Sequence, residues 1–253
     1  MMVSADPMEQ FVIQRWLPIH IGGYDLSFTN SALFMTIGIL LVIGFLALAT
    51  SKMKTIPTRT QSLAEIWYQF IDGVVRDVNH SDGKPYVPLV FTIFSFIFIA
   101  NLLGLLPGTF ATTSHVAVTG ALALFVFALV IVLGVWKNGF KFLKIFTPSG
   151  VPWWLIWFVA IIEFFSFLSR PLSLAMRLFA NVLGGHVSLT VFAGFIPQLA
   201  VGLPIWGVAI GGLLVLPMVV GLSALEVLIA FLQAYVFAIL TCVYLNDALH
   251  PGH

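Results

Sequence analysis

Arg177, His186 and Glu226 each place an ionisable group inside a long apolar segment. An arginine cannot shed its charge in a protein. At the centre of a membrane that charge costs from about 3 to more than 10 kcal/mol. Around it, Glu163, Ser166, Arg170, Ser173, Arg177, Asn181 and Ser188 recur at steps of three, four or seven, which stacks them on one face of a helix. Ser173 and Asn181, one turn to either side of Arg177, offer hydrogen bonds but no charge. Arg177 is therefore either a structural arginine, held by Glu163 or by carbonyl groups, or a fixed positive charge facing a mobile or external anion. Glu163 lies roughly 21 Å away along a straight helix, which disfavours a direct pair. Arg170, between them, either pairs with Glu163 or reaches for the membrane interface.

A second polar face follows. Ser223, Glu226, Gln233 and Tyr244 stand at steps of three, seven and eleven. Glu226 is the sole acid between positions 164 and 246, and His186 is the sole histidine of the last hundred residues before the terminal tail. A carboxyl group and an imidazole can both pass protons, so one such group on each segment suggests a facing pair. His186 alone would read as a hydrogen-bonded core residue. Gln233 can donate to and accept from charged groups without changing its own charge, or it can join two helices.

These residues need helices to hold them. The chain has 253 residues, 60% of them hydrophobic and 8% charged, against about 25% charged in a soluble domain. The composition predicts an all-α polytopic membrane protein, because a barrel would show short alternating segments. A net charge of +1 and the lack of a basic patch argue against a nucleic-acid partner. The single Cys242 excludes an intramolecular disulfide and a cysteine-based metal site, and fits a small core residue. The first apolar run is too long, and lacks the basic flank, for a cleavable signal peptide.

Residues 1–30 read as a polar head, with Asp6, Glu9 and Asp25 against Arg15. Residues 31–50 have the length of one span. A basic segment with Lys52, Lys54 and Arg59 leads to an amphipathic helix over 60–80, lying at the interface or on a partner. Ser62 and Glu65 have capping-box spacing there. SDGKP at 81–85 breaks that helix. A hairpin of two spans fills 87–136, with the first ending at Pro107-Gly108, and Lys137, Lys141 and Lys144 follow it. The two basic segments flank the hairpin and so share a side, which the positive-inside rule makes cytoplasmic. The N-terminus then faces the opposite compartment.

Residues 151–198 and 203–247 are apolar and too long for single upright spans, with Pro204 near their junction. Neither Arg170-Pro171 and Gly184-Gly185 nor Pro217 and Gly221 supplies a loop's worth of polar residues. The pattern favours two long, tilted helices forming a hairpin.

SRPLSLAMRLFANVLGGH, LEVLIAFLQAYVFAILTCVYL and NLLGLLPG (101–108) resemble subunit a of the membrane sector of F-type rotary ATP synthases, over nearly the whole chain. The resemblance implies a proton-translocating stator with no catalysis or cofactor of its own. It implies a ring of c subunits with buried carboxylates as partner, together with peripheral-stalk b-type subunits, the F1 sector and membrane lipids. Carried over by position, Arg177 matches the arginine facing the rotor carboxylates. Asn181 and Gln233 match its polar flanks, His186 and Glu226 the titratable pair of the inlet half-channel, and Glu163 an acid near the cytoplasmic outlet. Ser173, Arg170, Asn101, His115 and Tyr244 are weaker candidates for channel walls. The expected setting is a bacterial inner membrane, with a mitochondrial inner membrane as the alternative. Two rival classes remain open on the residues alone: a secondary ion transporter with a mid-membrane Arg/Glu site, which would usually carry internal repeats, and a non-transporting membrane scaffold.

Overall fold

The computed structural model describes residues 15–17, 20–21, 24–25, 27–51, 54–106, 109, 112–147, 152–202, 209 and 211–250. Asp6, Glu9, Lys52, the Pro107-Gly108 break and Pro204 lie outside the described residues. The polar head contains structure that the sequence did not reveal. Strand β1 (Arg15–Leu17) pairs antiparallel with β4 (Phe28–Thr29), and β2 (His20–Ile21) pairs antiparallel with β3 (Tyr24–Asp25) between them.

Among the described residues, the regular elements after this ladder are all helices. Thr29 starts α1 (Asn30–Thr50) by accepting the Ala32 amide on its hydroxyl. Helix α2 covers Arg59–Asn79, α3 Val87–Gly104 and α4 Val116–Asn138. Helix α5 runs unbroken from Ile156 to Gly202, 47 residues, and α6 covers Leu216–Leu249, 34 residues, after a π-turn at Gly211–Val215. Arg170-Pro171 and Gly184-Gly185 do not interrupt α5, and Pro217 and Gly221 lie within α6. Among the described residues, five helical segments are long and apolar enough to cross a membrane. Several hydroxyl groups in these helices bond to their own backbone: Thr36, Thr92, Ser188, Ser223 and Thr241 each donate to the carbonyl four residues back.

Helix α2 begins differently from the expectation. Thr58, not Ser62, is its cap, accepting the Gln61 amide, while the Gln61 side chain donates to Glu65 at 2.7 Å. The Ser62 amide instead donates to the Thr58 carbonyl at 2.8 Å. Its apolar stripe also divides. Ile71 and Val74, with Val75, are buried, whereas Leu63 and Ile66 stay exposed.

The chain forms two compact units. One comprises Met1–Leu41, Ile97–His115 and Leu178–Gln233; there Phe98 of α3 meets Phe231 of α6 edge to face at 5.9 Å. The other comprises Val42–Phe96, Val116–Arg177 and Ala234–His253. In this second unit Trp67 of α2 contacts Phe45, Phe91 and Phe94, and Phe167 of α5 gathers Phe127, Phe142 and Phe146. The Phe142 ring occupies the space a side chain at Gly134 would need.

The basic segments meet at one end of the second unit. The Lys137 ammonium lies over the Tyr86 ring, the Asn138 side chain donates to the Ala248 carbonyl at 2.7 Å, and His250 lies 3.2 Å from Asp82. Nearby in sequence, Arg170 donates to Asp247 at 2.7 Å, stands 3.8 Å from Glu163, and lies over the rings of Phe167 and Tyr244. Asp247 is thus the main partner of Arg170, and Glu163 a distant second.

Two predictions follow from this packing. Thr58→Ala should weaken the start of α2 by about 1 kcal/mol, seen as faster amide exchange over residues 59–64, whereas Ser62→Ala should not. Asp247→Asn should lower the thermal stability of the reconstituted protein by about 1–3 kcal/mol, and Glu163→Gln by clearly less; equal losses would contradict the assignment of Asp247 as the main partner.

Candidate functional site

Helix α5 carries the first polar face as the spacing requires, but the seven residues do not share one environment. Glu163 and Arg170 are half-buried, while Ser166, Ser173, Arg177, Asn181 and Ser188 are exposed. Arg177 makes no hydrogen bond or ion pair with a described residue. It is a permanent charge displayed on an apolar helix. His186 follows nine residues later, which at 3.6 residues per turn puts it roughly opposite Arg177 around α5. The two residues therefore serve different surroundings.

His186 belongs to a buried polar cluster inside the first unit. A cavity of about 20 Å³ is lined by Asn101 of α3, Asn181, Gly185 and His186 of α5, and Glu226 and Gln233 of α6. That volume suits one water molecule. Asn181 donates to the Gln233 carbonyl oxygen at 2.7 Å, which joins α5 to α6. Asn101 accepts from the Thr113 hydroxyl at 2.8 Å.

Three polar atoms here have no hydrogen-bond partner among the described residues: Asn101 Nδ2, Glu226 Oε2 and Gln233 Nε2. Their residues are only 3%, 7% and 3% exposed. Each such atom costs about 1–3 kcal/mol if it stays unpaired, and buried polar groups are normally satisfied by protein or water. Two amide donors and one carboxyl acceptor around a one-water cavity suit a single bridging water. It would accept from both amides and donate to Glu226. The cluster can therefore bind water beside a carboxyl and an imidazole, which is the equipment for moving a proton.

The remaining candidates lie elsewhere. Glu163, Arg170 and Tyr244 form the ionic and aromatic cluster around Asp247, and Ser173 stands on the exposed turn before Arg177. His115 sits in the turn before α4, its amide donating to the Thr112 carbonyl, and it does not line the cavity. Thr113, Asp247 and Gly185 were not picked out by spacing. Asp247 could have been found as the acid three residues beyond Tyr244, one helical turn along the polar face. Thr113 and Gly185 carry no signal without their partners.

The chain is similar to known proteins over nearly its whole length. The family described as ATP synthase A chain matches residues 32–246. A protein of Chelativorans sp. called ATP synthase subunit a is 53% identical over 251 residues, covering 99% of this chain and 100% of its own. Proteins of the same name from Mesorhizobium japonicum and Rhizobium johnstonii are 53% and 52% identical, each covering 99% of this chain and 98% and 99% of their own lengths. With that span matched and those identities maintained from end to end, the chain belongs to the ATP synthase A chain family.

Proposed function

We propose that this chain is the proton-translocating stator of a rotary ATP synthase in a bacterial inner membrane, carrying protons to and from carboxylates on a neighbouring ring of c subunits. The observation that carries the reading is Arg177, an exposed, permanently charged side chain on an apolar helix with no anion of its own among the described residues. No described residue of the chain supplies its counter-charge, and a rotor carboxylate would meet that need. Asn181, one turn on, bonds to Gln233 and links the arginine's stretch of α5 to the buried cluster.

The mechanism follows from charge. A proton enters past His186 and Glu226, with water in the small cavity as a bridge, and neutralises a rotor carboxylate. The neutral group can then turn into lipid. A carboxylate that comes round to Arg177 meets a positive charge, which favours its ionised form. Its proton leaves toward the cytoplasm near Glu163 and Arg170. Arg177 also blocks a direct proton leak between the two half-channels. The membrane potential supplies about 2.3 kcal/mol per charge per 100 mV.

The orientation fits. The basic segments that converge on the C-terminal end of α6 mark the cytoplasmic side, so the first part of α5 begins there and the N-terminal ladder faces outward. At 1.5 Å per residue α5 is roughly 70 Å long, against a hydrocarbon core of about 30 Å, so it lies strongly inclined along the ring. Helix α2, with exposed Leu63 and Ile66 beside its charged side chains, lies at the interface where b-type subunits and lipid headgroups meet.

Arg177→Ala in the assembled complex should abolish proton-driven ATP synthesis while leaving a passive proton leak; synthesis at the normal rate would remove the assignment. His186→Glu and Glu226→His should each stop pumping, and the double exchange should recover part of it. Failure to recover would count against direct transfer between the two positions.

A further inference from the structure

Glycine is among the least favourable residues inside a helix, yet α5 carries two in succession, Gly184 and Gly185. They do not break the helix, so their use has to be local. A Cβ built on Gly184 meets nothing within 4 Å. One built on Gly185 would lie 2.7 Å from Glu226 Oε1, 3.2 Å from its Cδ and 3.3 Å from its Cγ. The carboxyl end of Glu226 thus rests directly on the α5 backbone, in space that exists because residue 185 has no side chain.

We propose that Gly185 is the positioning residue of the relay: it forms the seat that holds the Glu226 carboxyl group against α5, one residue from His186 and on the wall of the cavity shared with Asn101 and Gln233. This rests on the reading of Glu226 as a proton-passing group. The colliding atom is the far end of a flexible side chain, so a methyl group at 185 would move the carboxyl rather than part the helices. Ordinary contact begins at 3.4 Å, so Oε1 would retreat by roughly 0.7 Å. Displacements of about 1 Å can slow chemistry a hundredfold, and proton transfer needs heavy atoms within about 3.2 Å or one water apart.

The test uses the complete ATP synthase in lipid vesicles, with ATP-driven proton uptake as the rate and recovery of the chain with the complex as the measure of assembly. Gly185→Ala should assemble like the wild type and pump at least about tenfold more slowly. Glu226→Asp shortens the side chain by one methylene and makes room for the methyl group. The double variant Gly185→Ala with Glu226→Asp should therefore pump faster than Gly185→Ala alone, a non-additivity expected of direct contact. A merely structural glycine would show no such rescue. Wild-type pumping by Gly185→Ala, or a double variant no faster than it, overturns the proposal. Loss of assembly in Gly185→Ala supports the contact if Glu226→Asp restores it, and overturns the proposal if not. Glu226→Gln separates the two ideas: pumping by that variant refutes the relay itself, whereas its failure beside a normal Gly185→Ala refutes only the seat.

Discussion

An arginine carries its charge at every pH a protein meets, and hydrocarbon offers nothing to balance it. Two arginines on α5 answer that constraint in opposite ways. Arg170 is neutralised within the chain, by Asp247 at 2.7 Å and more distantly by Glu163, with the Phe167 and Tyr244 rings against its flat face. Arg177, seven residues on, is exposed and meets no acid among the described residues. Nothing in their local sequence forces the difference. Asp247 of α6 reaches Arg170, and no described acid pairs with Arg177. The chain forms a half-buried ion pair at one position and leaves the second charge open among the described residues, which on the proposed function is answered by an anionic partner.

The same economy governs the remaining polar groups. The hydroxyls of Ser188, Ser223 and Thr241 bond to their own helix backbone and ask nothing of their neighbours. Carboxamide and carboxyl groups cannot do this so readily. Asn181 and Gln233 solve the problem together across the α5–α6 contact. Asn101, Gln233 and Glu226 each retain a buried atom without a partner among the described residues, beside a one-water cavity. In a membrane that is a costly way merely to hold helices together, since apolar packing would serve. The cost is intelligible if the cavity has to take up water and protons.

Much of this was legible in the sequence, and for a physical reason. Lipid forces backbone bonding inward, so hydropathy and length give the helices almost directly, and the lack of a polar break across Arg170-Pro171 and Gly184-Gly185 gave the continuity of α5. Helical period puts Arg177 with Asn181, and Glu226 with Gln233, on shared faces. Period cannot say which residue across the gap a face will meet. Asp247 pairs with a residue 77 positions away, Thr113 gains meaning only against Asn101, and Gly185 only against Glu226. The ladder in the polar head escaped because strands of two and three residues carry no readable alternation. The cap of α2 escaped because Thr58 and Ser62 both look suitable, and which one is used depends on the chain entering the helix.

On the proposed function, the length of α5 becomes part of the mechanism. Glu163 and His186 are 23 residues apart in the sequence of α5, whereas about 20 residues suffice for an upright helix to cross a hydrocarbon core. On an inclined helix much of that separation becomes lateral. Inlet and outlet then lie side by side along a rotor rather than stacked above one another. Arg177 lies between them, fourteen residues from one and nine from the other. A proton cannot pass sideways between these positions without meeting the guanidinium charge, so it has to ride the rotor carboxylate around. On that reading the inclination, the open charge and the separation of the two titratable regions along the sequence of α5 would act together, since an upright helix would lose the lateral offset.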